Sequence, residues 1–299
     1  MNQLKSMNFK LRYVAMCLIL GISGGCQKAK DVEAADSLDA TESVVESAMT
    51  QVAGDADDQA GSSYAYQSKP DPLFFTLVLN KAYAANCQRP IAASCSAGVR
   101  SQTYSNCNTA ESSISMSGAA SLTYSQSNCS LAISGDYVER TYDLTLSGPR
   151  GGQYDLLSSN QTDYRGQTYG GGGRLQKTSS GFSIAILGRH SELSFRGRIL
   201  SSVSTRTLQN VELNQLTRNG RILNGGQIEV NHNLAEFTTV ISPVNVQWTS
   251  TCCHPVSGSL NLSFSGSKSG SATVTFLSCG SAEINENGQT RTTSISYCE

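Results

Sequence analysis

The chain has 299 residues, 38% of them apolar and only 15% charged, with 22 Lys and Arg against 23 Asp and Glu for a formal net charge of −1. That balance offers no basic excess for a nucleic-acid partner. No apolar run reaches the roughly 20 residues that a membrane-spanning helix needs.

The N-terminus is basic, with Lys5, Lys10 and Arg12 and no acidic residue before Asp31. Tyr13 to Ile22 is a short apolar run, followed by Ser23, Gly24, Gly25 and Cys26. Basic, apolar and small-residue segments in that order predict a cleaved export leader over 1–25. Translation from Met7 would give a more compact leader of the same kind.

Small residues directly before a cysteine resemble the lipobox of bacterial lipoproteins, although Ser23 stands where that family usually has Leu. The resemblance implies removal of the leader, diacylation of Cys26 and a partner in the lipid bilayer. Gln27 in place of the Asp of inner-membrane retention implies an outer-membrane location, on the periplasmic or surface face.

Residues 27–61 carry nine acidic residues against Lys28 and Lys30, with no aromatic residue. Such a segment cannot bury enough apolar surface to offset the entropy of ordering it, so 26–71 reads as an acidic, disordered tether. An acidic protein-binding segment is the alternative. "PLFFTLVLNKAYAAN" over 72–86 reads as a short apolar connector, too short to span a bilayer and interrupted by Lys81.

From 87 to 299 the pattern is all-β. Phe182, Ile184 and Ile186 alternate with smaller residues, Ile228, Val230, His232 and Leu234 alternate with Glu229, Asn231 and Asn233, and Val244, Val246 and Trp248, then Leu260, Leu262 and Phe264, follow the same period. A period of two marks strands with one buried face. Asn219-Gly220 and Asn287-Gly288 are hairpin signals. Many short strands, Gly-rich turns and no helical periodicity predict an antiparallel β-sandwich or open barrel, with one domain or two subdomains split near 136–150. "SGAASLTY" at 117–124 and "SGSATVTF" at 269–276 suggest a repeated strand, each followed by a cysteine.

Eight cysteines remain after Cys17 and Cys26 are set aside: Cys87, Cys95, Cys107, Cys129, Cys252, Cys253, Cys279 and Cys298. An even number in an exported chain implies disulfides, and parity is spoiled if Cys26 joins them. A vicinal Cys252–Cys253 bond would strain the backbone, so each is expected to pair elsewhere.

Chemistry is sparse. "TCCHPVSG" gathers Cys252, Cys253 and His254, which with His190 or His232 are candidate metal ligands, but adjacent strand residues point to opposite faces. No metal and no cofactor is therefore expected. His232 falls on an apolar strand face as a core histidine, while His190 follows Arg189 as a surface or site residue. Gly170–Gly173 before Arg174 lacks the Lys-Ser/Thr of a phosphate loop and reads as a turn. Arg189, Arg196 and Arg198 could meet phosphate or anionic glycan, with Arg196 and Arg198 expected on one strand face. Ser265 to Lys268 matches S-x-x-K without its companion motifs.

"NGGQIEVNHN", "VQWTSTCCHPVSGSL" and "SGSATVTFLSCGSAEI" are similar to a group of uncharacterised exported bacterial proteins carrying C-C-x-P-x-S-G and later C-G-x-A segments. The resemblance implies one shared architecture over about 142–298 and no particular activity. Taken together, the sequence predicts an envelope lipoprotein that binds a glycan or protein ligand or reinforces the envelope, without catalysis. The alternative is an envelope hydrolase acting on glycan or peptide, with His190, His254 or paired carboxylates brought together by folding.

Overall fold

The computed structural model describes residues 93–108 and 114–294. Cys26, the tether, the 72–86 connector, Cys87 and Cys298 lie outside the described residues, as does the side chain of Cys253. The described chain is all-β and antiparallel, and no helix among its residues is long and apolar enough to cross a membrane.

Seventeen strands follow one another: β1 (Val99–Asn108), β2 (Ser115–Tyr124), β3 (Tyr137–Ser147), β4 (Gly152–Leu157), β5 (Gln161–Thr162), β6 (Thr168–Tyr169), β7 (Gly172–Lys177), β8 (Phe182–Phe195), β9 (Arg198–Gln209), β10 (Val211–Leu213), β11 (Ile222–Asn224), β12 (Gln227–His232), β13 (Phe237–Thr249), β14 (Cys252–Gly266), β15 (Gly270–Ser278), β16 (Ser281–Glu286) and β17 (Gln289–Ser294). Fifteen of them form one sheet, and β5 and β6 form a separate two-stranded hairpin. The large sheet is a meander. β4 and β7 share one line between β3 and β8; β9 and β10 share the next, and β11 and β12 the line beside β13. Because consecutive strands pair, hairpin turns supply most of the connections.

One face of this sheet is the core. Ile184, Val211, Leu223, Ile228, Val230, Ile241, Val246 and Leu260 are fully buried in a cluster that also includes Leu122 of β2 and Ile284 of β16. The inner face is therefore closed over in a sandwich-like manner rather than left open to solvent. A second cluster at the β1–β4 end holds Tyr104, Met116, Tyr142, Leu144, Leu146 and Leu156. β3 covers 137–147 and pairs with β2 on one side and with β4 and β7 on the other.

Most of the alternation read from the sequence is present. Phe182, Ile184 and Ile186 are buried, as are Leu260, Leu262 and Phe264. Val244 differs. It is 38% exposed, while Val246 and Trp248 are buried. Its neighbour Asn245 has a φ of 48° within a bulge between Val244 and Gln247, and the bulge inverts the parity of β13. Asn287-Gly288 is the expected two-residue turn: both residues have positive φ, and Glu286 pairs with Gln289. Asn219-Gly220 instead ends a longer loop between β10 and β11. The two echoing octapeptides fall on β2 and β15, with Leu122 and Tyr124 in one matching Val274 and Phe276 in the other as core residues.

Two disulfides sit at one end of the meander. Cys95 pairs with Cys129 and Cys252 with Cys279, so each bridge closes within its own group of cysteines. Cys107 is also disulfide-bonded.

Candidate functional site

The outer face of the sheet is where structure and pattern diverge. Glu229 and Asn231 alternate with Ile228 and Val230, which predicts a solvated face, yet both are buried. The cover is the excursion from Ser158 to Gly171, which leaves the sheet after β4, forms the β5–β6 hairpin and returns at β7. We call it the strap.

The glycine run makes the strap possible. A Cβ on Gly188 of β8 would overlap the backbone nitrogen of Gly170, and one on Gly170 would overlap the Asn160 side chain. Two backbones thus cross at a separation only glycine permits. β8 also carries an extra residue here, between the Gly172–Gly188 and Gly173–Ile186 pairs. Gly170–Gly173 is therefore a crossing point and not an anion cradle, and Arg174 beyond it pairs with Glu139 at 3.0 Å through Nε.

The crossing delivers Asp163, Arg165 and Tyr169 onto β9 and β12. Arg165 Nη2 donates to Glu229 Oε1 at 2.9 Å, its Nε donates to Asp163 Oδ2 at 2.9 Å, and its Nη1 reaches Glu229 Oε2 at 3.3 Å. Arg206 Nε donates to Glu229 Oε1 at 3.0 Å. Tyr169 hydroxyl lies 2.8 Å from Asp163 Oδ2 and 3.1 Å from Glu229 Oε1. Asp163 Oδ1 accepts the backbone N–H groups of Arg165 and Gln167. Two carboxylates and two guanidiniums balance in charge, and each of the four carboxylate oxygens already has a donor from the chain itself.

The titration follows from this. Burial alone would raise the Asp163 carboxyl, but hydrogen bonds from the Gln167 backbone, Tyr169 and Arg165 hold it below the ordinary range. Glu229 behaves likewise: burial opposes ionisation, but Arg165, Asn231 and Arg206 outweigh it. Burial raises the Tyr169 phenol, and the hydrogen bond to Asp163 adds to the effect. Both carboxylates are thus ionised at neutral pH, and neither can serve as a general acid.

Polar contacts continue from this network across the face. Asn231 Oδ1 accepts from Thr238 Oγ1 at 2.6 Å, and Thr238 meets the Tyr164 hydroxyl at 2.9 Å. The Tyr164 backbone N–H donates to Asn233, whose amide reaches Ser204, and Ser204 lies 3.1 Å from His190 Nδ1. His190 is buried, which lowers its pKa. A second pair of carboxylates lies nearer the sheet end, where Asp155 of β4 stands opposite Glu192 of β8. Burial, then the Asp155 charge, raises Glu192.

The three histidines do not assemble. His190 is on the outer face. His232 stacks on Phe237 at 4.3 Å between ring centroids, on the inner side as the alternation predicts. His254 is buried near the Cys252–Cys279 bridge. The Cys252 sulfur is spent in that bridge, and among the described residues no group of three or more His, Cys, Asp or Glu is placed to hold a metal.

Arg189, Arg196 and Arg198 also separate. Arg189 is 2% exposed, over the Tyr142 ring. Arg196 occupies a turn and Arg198 starts β9, so they flank a hairpin tip instead of sharing a strand face. Lys268 of the S-x-x-K stretch pairs with Glu286 at 3.1 Å and lies over Phe264. That contact gives its amine a structural partner and no nucleophile to activate.

No family model, curated protein or solved structure matches the chain.

Proposed function

We propose that the chain is a bacterial envelope lipoprotein, anchored to the outer membrane through acylated Cys26, whose β domain is a non-catalytic binding or structural module for an envelope glycan or protein. The leader over 1–25 supports the anchor, and the even cysteine set supports keeping Cys26 out of the disulfides. The observation that carries the non-catalytic reading is the saturation of the Asp163–Arg165–Tyr169–Glu229 network. It contains the residue types of an acid–base site, but its carboxylates are ionised and fully occupied by internal donors. Its chemistry is that of a clasp.

Intact mass of the membrane-extracted protein tests the anchor. A mature chain starting at Cys26 with added acyl mass supports the reading, and an unmodified N-terminus elsewhere refutes it. A pull-down with the mature chain from envelope extract tests the binding role.

One observation favours a second reading. Asp155 and Glu192 stand directly opposite each other on β4 and β8, and burial together with the Asp155 charge raises the Glu192 carboxyl. Glycoside hydrolases use two neighbouring carboxyl groups, one of them kept protonated. Turnover of envelope glycan that disappears in Glu192→Gln would establish it.

A further inference from the structure

At the end of the sheet opposite the Cys95–Cys129 and Cys252–Cys279 bridges, two hairpin tips lie side by side. The β3–β4 tip is "SGPRGG" and the β8–β9 tip is "SFRGRILS", and between them they carry three arginines and no acidic residue. They are joined where the Arg196 backbone N–H donates to the Gly151 carbonyl at 2.9 Å. Arg150, Arg196 and Arg198 are all exposed, and none forms an ion pair with a described carboxylate.

Two backbone features present this tip at a cost. Arg196 has a φ of 50° and Gly197 one of 76°, in a two-residue turn where Phe195 pairs with Arg198. That first position suits Asn or Gly, and arginine there is strained. Beyond the turn, β9 slips by one residue between the Leu193–Ser201 and Ser194–Ile199 pairs, leaving Leu200 unpaired. Regular strand geometry would send consecutive side chains to opposite faces. The slip instead leaves Ile199 44% and Leu200 42% exposed. The two joined tips therefore bring three exposed arginines together with two consecutive exposed aliphatic side chains.

We infer that this double tip is a membrane-contact site, with Arg150, Arg196 and Arg198 engaging anionic lipid headgroups while Ile199 and Leu200 enter the interface. Charge complementarity selects the lipid, since basic side chains flanking apolar ones suit a surface that is anionic outside and apolar beneath. The inference rests on the anchored reading, which keeps the domain beside a bilayer. The 66 residues between Cys26 and Ala93 span at most about 3.3 Å each, ample for either end of the sheet to face the membrane.

The test uses the chain beginning at Gln27, which retains every described residue and has no acyl group. Its partition is measured by co-sedimentation with vesicles of phosphatidylglycerol and phosphatidylethanolamine, and with phosphatidylcholine vesicles as control. Binding should favour the anionic vesicles, weaken with salt, and fall about fivefold for each arginine removed. Arg196→Asn separates contact from folding, because asparagine suits the turn: thermal stability should hold or rise while vesicle binding falls. Ile199→Asn with Leu200→Asn should weaken binding and leave its salt dependence unchanged. Equal binding to both vesicle types, or full binding by Arg196→Asn with Arg198→Gln, overturns the inference. Retention on a polyanionic glycan without vesicle binding overturns it as well. Failure of the anchor itself is read separately, from the mass at Cys26.

Discussion

Replacing Glu229 by Gln tests whether the clasp holds the strap. The substitution preserves shape and removes one charge from a side chain that is 7% exposed. It leaves Arg206 without its carboxylate and Arg165 with Asp163 alone. Removing one member of a buried ion pair costs about 3–5 kcal/mol, but Arg165 and Arg206 are 27% and 31% exposed and keep part of their hydration. A loss of about 2 kcal/mol is therefore expected, which for a domain of this size lowers Tm by about 4–8 °C. Trp248 fluorescence reports the melt from within the core. Trypsin cleavage after Arg165 reports the strap locally, and it should accelerate in Glu229→Gln before global unfolding. An unchanged cleavage rate with a Tm shift below about 1 °C would refute the clasp.

Other expectations follow from the same contacts. Loss of the Cys252–Cys279 bridge, whose residues are 27 apart, should cost about 3–4 kcal/mol on chain-entropy grounds, seen under non-reducing conditions as a lower Tm of Cys252→Ala with Cys279→Ala than of the parent chain, a gap that should shrink in dithiothreitol while the other bridges are reduced in both. Gly188→Ala should push the strap off β8, with a loss of about 1–3 kcal/mol by chemical denaturation and faster cleavage at Arg165. Burial lowers His232 and His254 to about 4, whereas both titrate near 6.5 when unfolded. Each therefore contributes stability above about pH 6.5 that is lost as pH falls towards 4, about 2 kcal/mol per histidine by pH 5. Melts at pH 7 and 5 should show that decline, and His232→Phe should lessen it while keeping the stack on Phe237. Asp163 and Glu229, with depressed values, should add a further loss only in more acidic solution, as pH falls through their folded pKa values.

Local rules made the strands legible. Apolar alternation located β8, β12 and β14 because one face of each is core, and Asn-Gly located the β16–β17 turn because both residues must adopt positive φ. Alternation failed at Val244, where a bulge changed parity, since nothing in the apolar pattern marks an inserted residue. The clasp was not legible for a different reason. Glu229 and Asn231 have the pattern of a solvated face, and their cover comes from "SSNQTDYRGQTYG", about 60 residues earlier in sequence, whose turn-rich composition reads as loop. Charge partners at that separation leave no periodic trace. The glycine run was visible but read as a turn, because close approach of two backbones is a tertiary requirement.

The strap interrupts what would otherwise be one strand. On β3, Leu157 lies opposite Asp143 and Gly173 opposite Arg140, so two residues in place of Ser158 through Gly172 would carry β4 directly into β7. Those two residues would take over the bond that the Ser158 N–H now makes to the Tyr142 carbonyl at 2.7 Å, so the β3 ladder needs no more of the detour than that. Excision of the detour would uncover the buried Glu229 and Asn231 and join them to the half-buried Arg206 in a solvent-facing polar floor. In modular terms, the scaffold and its cover are separable parts, and a shorter or longer insert at this splice point would recast the outer face without a change to any core residue.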